Sequence, residues 1–200
     1  MDRRKALKGL GMSLGFVVAT PTVLSLLQSC KTETKNIASW VPEFFSEDEA
    51  TVVTNLADLI LPKTANLPGA TDVNVVQFID LYFSKISSKE EQEGHKNGLA
   101  AVINALGKSV KDLTTEDYDR LLAKYLKASQ EEQEAFNNNE EEAPVLGTLM
   151  GLRGGVIWAY TTSEKIGKEV LAYDPIPGEQ KGCISVEEAT GEWGGRAWSL

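Results

Sequence analysis

The chain carries few side chains that could act as nucleophiles or hold a metal. His95 is the single histidine, and Cys30 and Cys183 are the two cysteines. Zinc and iron–sulfur sites need several thiolates or imidazoles at close spacing, and covalent haem needs a CxxCH motif. The sequence contains neither pattern. These counts exclude such sites, and a serine–histidine–aspartate arrangement would have to use His95.

The surroundings of these residues do not favour chemistry. His95 lies in the polar stretch Glu93-Gly94-His95-Lys96, which predicts an exposed, non-catalytic imidazole. Cys183 is either a free thiol packed under the end of the chain or a partner in a disulfide with another chain, and the packed thiol is the preferred interpretation. A catalytic use of carboxylates such as Asp58 or Asp80 is the least favoured alternative.

The body of the chain also shows no place for a nucleotide cofactor. A flavin site normally needs a glycine-rich turn from strand to helix, where backbone donors hold the pyrophosphate. Gly9, Gly11 and Gly15 resemble that spacing weakly, but no strand precedes them. We therefore predict no catalytic, cofactor-binding or metal-binding residue in this chain.

Residues 1–29 have the pattern of an export signal. The adjacent Arg3 and Arg4 precede a weakly apolar stretch that ends at Cys30, and twin arginines are typical of the route that exports folded proteins. We predict a twin-arginine lipoprotein signal peptide, with export to the periplasmic side of a bacterial membrane and a lipid on Cys30. An uncleaved membrane anchor or a buried helix is the alternative, which Pro21 and the glycines disfavour.

Length and composition limit the number of domains that the rest of the chain can form. Its 200 residues, 42% of them hydrophobic, suffice for one hydrophobic core, so we predict a tether over residues 30–44 and a single compact domain over residues 45–200. The net charge of −9 argues against nucleic-acid binding, because phosphates are recognised by lysine and arginine.

The spacing of apolar residues predicts an all-α domain. Ser46 with Glu49 and Ser88 with Glu91 form capping boxes that start helices, and Thr114 or Thr115 caps another. Apolar residues then recur at intervals of three and four, and no alternating strand pattern accompanies them. The glutamate-rich residues 130–142 should begin as a helix and end in a solvated loop.

The most apolar part of the body, residues 145–160, contains glycines four residues apart at Gly147, Gly151 and Gly155. This spacing places them on one side of a helix, where missing side chains allow another backbone to approach closely. A docking or membrane helix is one interpretation. A tightly packed central core helix is preferred, because Arg153 and the short length disfavour a membrane span.

The last part of the chain, residues 172–200, predicts an extended, irregular tail, because its prolines cannot continue a helix. It contains half of the four tryptophans, and aromatic and arginine residues often anchor protein interfaces. A tail folded back on its own core would use the same residues, and both interpretations remain open. The candidate partner interface consists of Tyr173, Pro175, Pro177, Gly178, Cys183, Trp193, Arg196 and Trp198.

The order of several short motifs resembles the gluconate 2-dehydrogenase subunit 3 family. After the twin-arginine leader come Phe45-Ser46-Glu47-Asp48-Glu49, Ala57-Asp58-Leu59-Ile60-Leu61-Pro62 and Pro68-Gly69-Ala70, then Thr162-Ser163-Glu164 with Gly167, Tyr173-Asp174-Pro175-Ile176-Pro177-Gly178, Gly182-Cys183 and Gly195-Arg196-Ala197-Trp198. Each motif is weak alone, and their order and spacing carry the resemblance.

This resemblance implies a non-catalytic small subunit that helps to export, stabilise and attach a large FAD-dependent dehydrogenase to the membrane. The large subunit would oxidise a sugar, sugar acid or related alcohol, and a cytochrome subunit could carry haem c. The chain itself would hold no cofactor. A helical lipoprotein with a binding or scaffold role unrelated to redox chemistry is the alternative.

Overall fold

The protein is described by a computed structural model that covers residues 40–173, 178, 182–191 and 196–199. Within these residues the chain forms α-helices and no β-strand, which confirms the all-α prediction. Short 3-10 turns occupy Ala70–Val73 and Val110–Asp112. The helices are α1 Glu47–Ile60, α2 Val75–Lys85, α3 Lys89–Leu106, α4 Thr115–Leu126, α5 Gln130–Asn137, α6 Ala143–Thr161, α7 Glu164–Glu169 and α8 Val186–Thr190.

The predicted capping boxes start their helices. The Ser46 backbone N–H donates to Glu49 Oε2 at 2.7 Å, and the Glu49 N–H donates to Ser46 Oγ at 3.2 Å. Ser88 and Glu91 make the same exchange at the start of α3. Each box satisfies backbone donors that a helix start leaves unpaired. Thr114, rather than Thr115, caps α4, where its N–H donates to Asp117 Oδ2.

Helix α6 is the centre of the fold and packs against α1, α2, α3, α4, α5 and α7. Its buried face consists of Val145, Leu146, Leu149, Leu152, Val156 and Ala159. Side chains of this kind stabilise a fold by about 1.5–3 kcal/mol each when fully buried. The prediction of a central helix here is confirmed.

The close approach between helices does not occur at the predicted glycines. A Cβ built on Gly147, Gly151 or Gly155 would meet no other atom within 4 Å. The tight contact lies instead at Gly98 of α3, where an added Cβ would lie 2.2 Å from Thr148 Oγ1 of α6. The prediction that the glycine stripe packs against another backbone is therefore wrong, because α2 and α3 flank that side of α6 without covering it.

Residues that precede position 45 already pack against the hydrophobic core. Trp40 and Phe44 pack against the hydrophobic core, and Phe45 is buried within it. Asp80 of α2 holds this entry segment, since its carboxylate accepts the backbone N–H groups of Glu43, Phe44 and Phe45 at 2.8–3.0 Å. Residues 40–44 thus belong to the folded domain and not to the predicted tether.

The tail is not wholly extended. Residues Val186–Thr190 form α8, and Ser185 caps this helix by accepting the Glu188 N–H at 3.0 Å. A parallel bridge joins Ala172 to Trp198, with the Ala172 N–H donating to the Ala197 carbonyl at 2.8 Å. The prediction of an irregular tail is confirmed, and α8 is a short helix within it.

Candidate functional site

An apolar pocket opens between α2, α3 and α6. Its volume is about 430 Å³, and Gly147, Gly151 and Gly155 line it along α6. Because these glycines have no side chains, the helix backbone itself forms the floor. Every described residue that lines the pocket lacks a formal charge except His95, which can take up a proton. A concave, largely apolar space of this size is typical of small-molecule sites.

Aromatic side chains form the walls of this pocket. The imidazole of His95 is stacked on the Phe83 ring, with centroids 3.9 Å apart and planes inclined by 18°. Tyr82 meets Trp158 edge to face with ring centroids 5.4 Å apart, and the Phe78 ring packs on Trp158 with centroids 5.2 Å apart. Such contacts stabilise beyond simple burial, by about 0.5–1.5 kcal/mol per pair. The walls therefore have a defined arrangement of rings.

His95 does not face solvent as the sequence suggested. It is half-buried in the pocket wall, and this burial lowers its pKa below 6.5, while the nearby Glu91 carboxylate acts in the opposite direction. The prediction of an exposed imidazole is wrong, because Phe83 of the preceding helix covers one ring face. A lowered pKa leaves the ring predominantly neutral at pH 7, so it can donate one hydrogen bond and accept another.

The two carboxylates considered for catalysis have structural partners. Asp80 is fully buried and accepts three backbone N–H groups. Asp58 accepts the Thr71 hydroxyl at 2.8 Å. All four of these hydrogen bonds connect a helix to a neighbouring segment. Neither carboxylate lines the apolar pocket, so the structure does not bring them together with His95.

A second buried polar group lies at the start of α4. Lys108 donates to both carboxylate oxygens of Asp117 at 2.8 Å, and this bond, with the Thr114 N–H, lowers the pKa of Asp117 to about 2. The adjacent Tyr118 is fully buried, and burial raises its pKa to about 12. Its hydroxyl has no hydrogen-bond partner among the described residues. At neutral pH, Asp117 is therefore ionised and Tyr118 is neutral.

The described tail residues expose much of their apolar surface. Tyr173 and Trp198 are 39% and 46% exposed, and Ile184 and Val186 of the same segment are exposed as well. Arg196 donates to the Val170 carbonyl at 3.3 Å. Gly178 is exposed. Trp198 pairs with Ala172 in the bridge, and Tyr173 follows Ala172 directly.

Cys183 is a free and exposed thiol whose backbone adopts a positive φ of 54°. The preferred interpretation of a packed thiol is wrong, because residues 182–185 lie on the surface ahead of α8. The remaining interface candidates, Pro175, Pro177 and Trp193, lie outside the described residues, as do Arg3, Arg4 and Cys30.

Among the described residues, no group of three or more histidine, cysteine, aspartate or glutamate side chains could hold a metal ion. None of the described helices is long and apolar enough to cross a membrane. Sequence reasoning missed the pocket, although its signal was present in the three glycines four residues apart. What could not be seen was that α2 and α3 would leave that side of α6 open.

These features define a small helical protein with an open apolar pocket and an exposed apolar tail. The chain belongs to the gluconate 2-dehydrogenase subunit 3 family, whose model matches residues 47–178. The matched region contains most of the motifs that carried the resemblance, but those at residues 182–198 lie beyond it. No curated protein and no solved structure matches the sequence. Membership implies a dehydrogenase as partner.

Proposed function

We propose that this chain is the non-catalytic small subunit of a membrane-attached, FAD-dependent dehydrogenase acting on a sugar, sugar acid or alcohol. The flavin and any haem c belong to partner subunits. Family membership supports the assignment to a dehydrogenase complex. The observation that carries the subunit role is the exposed apolar surface of the tail.

The described tail residues with large exposed apolar side chains, here called the tail surface, are Tyr173, Ile184, Val186 and Trp198. Their side chains are between 38% and 59% exposed. Large exposed apolar residues mark candidate interaction surfaces, and tyrosine and tryptophan are frequent anchors of interfaces. The backbone bridge between Ala172 and Trp198 holds Trp198 against the stretch of chain that carries Tyr173. A partner protein that covered them would bury a preformed surface.

The buried carboxylates support a role without chemistry of its own. Asp80 and Asp117 are both used to hold segments of the fold, through backbone N–H groups and through Lys108. A general acid or base must instead reach a substrate proton and exchange its own near the working pH. Asp117, with a pKa of about 2, does not meet that requirement.

The leader gives the subunit a part in export. A flavoprotein must fold around its cofactor before it crosses a membrane, and a partner with a twin-arginine signal can carry it through the route for folded proteins. The lipid proposed for Cys30 would then keep the complex at the periplasmic face. One acyl chain alone binds a membrane only marginally, so stable retention needs further acyl chains or contacts.

Co-purification tests the partner. The chain is isolated in detergent from its native host, and bound protein is examined for flavin absorbance. We expect a flavin-containing protein with the unaltered chain and its loss with the double variant Tyr173→Ser and Trp198→Ser. The control variant, Val41→Ser and Leu67→Ser, removes exposed apolar residues outside the tail surface and should retain the partner. A flavin-free partner would favour the scaffold role instead. If both variants retained the flavin-containing partner equally, the tail surface would not be the site that binds it.

Export is tested separately. Replacing Arg3 and Arg4 together by lysine should leave both this chain and the flavoprotein in the cytoplasm, whereas replacing Lys5 and Lys8 by arginine should not. Normal export of the flavoprotein beside the double lysine variant would contradict the escort role.

A further inference from the structure

The apolar pocket has the volume of a small-molecule site. The pocket between α2, α3 and α6 holds about 430 Å³. This volume lies within the range of about 300–1,000 Å³ found for small-molecule sites. An occupant of the whole pocket is therefore a compact molecule.

The lining defines the charge and shape of this occupant. Lysine, arginine, aspartate and glutamate make up 24% of the chain, yet none of them lines the pocket in the described residues. An ion placed there would lose its hydration without gaining a counter-charge, which is unfavourable. The walls present the rings of Tyr82, Phe83, His95 and Trp158. Rings of this kind pack best against another flat ring.

Polar groups in the same walls are available to a ligand. The His95 imidazole, the Tyr82 hydroxyl and the Trp158 indole N–H make no hydrogen bond to another residue in the described part of the chain. All three residues line the pocket. A few such groups in an apolar lining are what orient a ligand in a binding site. Each of them can donate a hydrogen bond to a neutral oxygen.

We propose that this pocket is a binding site for an uncharged, largely apolar small molecule that carries a flat ring and a hydrogen-bonding oxygen. The ring lies over the glycine floor of α6 between the aromatic walls, and the oxygen meets His95, Tyr82 or Trp158. This site is separate from the tail surface and does not depend on the dehydrogenase partner.

Three probes of one carbon skeleton test the proposal on the full-length chain by titration calorimetry. We expect 2-naphthol to bind with one molecule per chain. Decahydro-2-naphthol, whose rings are puckered, should bind roughly three- to tenfold more weakly. The anion 2-naphthoate should bind at least about tenfold more weakly. Because His95 is the single histidine, its imidazole proton resonance should also shift when 2-naphthol is added.

Two variants of α6 locate the binding. Gly151→Leu places a side chain in the pocket and should abolish 2-naphthol binding. Gly154→Leu, on the same helix but outside the lining, should preserve it. Both changes raise helix propensity, so both variants should keep their helical circular dichroism. Absence of 2-naphthol binding, equal binding of 2-naphthoate, or unchanged binding by Gly151→Leu would overturn the proposal.

Discussion

Asp80 Oδ1 accepts the backbone N–H of Phe45 at 2.8 Å, although 35 residues separate them along the chain. The same carboxylate also accepts the N–H groups of Glu43 and Phe44, so it replaces the helical partners that this entry segment lacks. Since Asp80 is fully buried, few water molecules could take over these bonds. This one side chain therefore satisfies the backbone donors of the entry segment, in addition to the packing of Phe44 and Phe45 on the core.

Removing the Asp80 carboxylate should destabilise the fold strongly. Asp80→Ala leaves three backbone donors without their acceptor, of which the Phe45 N–H is buried, and we expect the free energy of unfolding to fall by about 3 kcal/mol. Asp119→Ala, an exposed aspartate of α4, is the control and should change it by less than about 0.5 kcal/mol. Urea unfolding followed by circular dichroism measures both. Equal effects of the two changes would show that Asp80 does not hold the entry segment.

The crossing of α3 and α6 predicts opposite effects for two glycines of one helix. Gly98→Ala forces a Cβ against Thr148 and should destabilise the fold by about 1–3 kcal/mol. Gly94→Ala meets no neighbouring atom within 4 Å and should stabilise it by up to about 1 kcal/mol. In a Thr148→Ala background the penalty at Gly98 should shrink, as a double-mutant cycle in urea can measure. If the penalty of Gly98→Ala did not change in that background, the added Cβ would not clash with Thr148.

Asp117 should contribute to acid unfolding. Folding lowers its pKa from 3.8 to about 2, chiefly through Lys108 and the Thr114 N–H, so folding favours the ionised form. The stability that the ionised carboxylate contributes to the fold is therefore nearly complete above about pH 4, and it is lost as the pH falls towards 2. We expect the urea midpoints of the unaltered chain and Asp117→Asn to differ at pH 5 and to converge near pH 2. A difference that does not change with pH would contradict the ion pair.

Local signals in the sequence predicted the helices well. The boxes Ser46–Glu49 and Ser88–Glu91 each lie within four residues, and Pro62 ends α1 by its own geometry. Such signals need no knowledge of the tertiary fold. The family resemblance likewise came from short motifs in order, and the family match over residues 47–178 confirms it.

Features that depend on contacts between distant segments could not be predicted from local signals in the sequence. Asp80 gives no sign in the sequence of the three donors it accepts from residues 43–45. The glycines of α6 predicted a face without side chains, but the sequence does not say whether a helix covers that face. For His95, neighbours along the chain are polar, and its burial comes from Phe83 across the turn between α2 and α3.

His95 offers a direct test of that turn, because it is the single histidine and gives one imidazole signal. Burial against Phe83 lowers its pKa below 6.5, so a proton NMR titration should show a midpoint below that value. Phe83→Ala uncovers the ring and should move the midpoint back towards 6.5. Glu91→Gln removes the carboxylate that favours the imidazolium and should move it further down. Since the unfolded chain takes up this proton more readily, the stability contributed by neutral His95 should decline as the pH falls below about 6.5. A midpoint at or above 6.5 in the unaltered chain would show that the imidazole is exposed, and the pocket would then lack one of its walls.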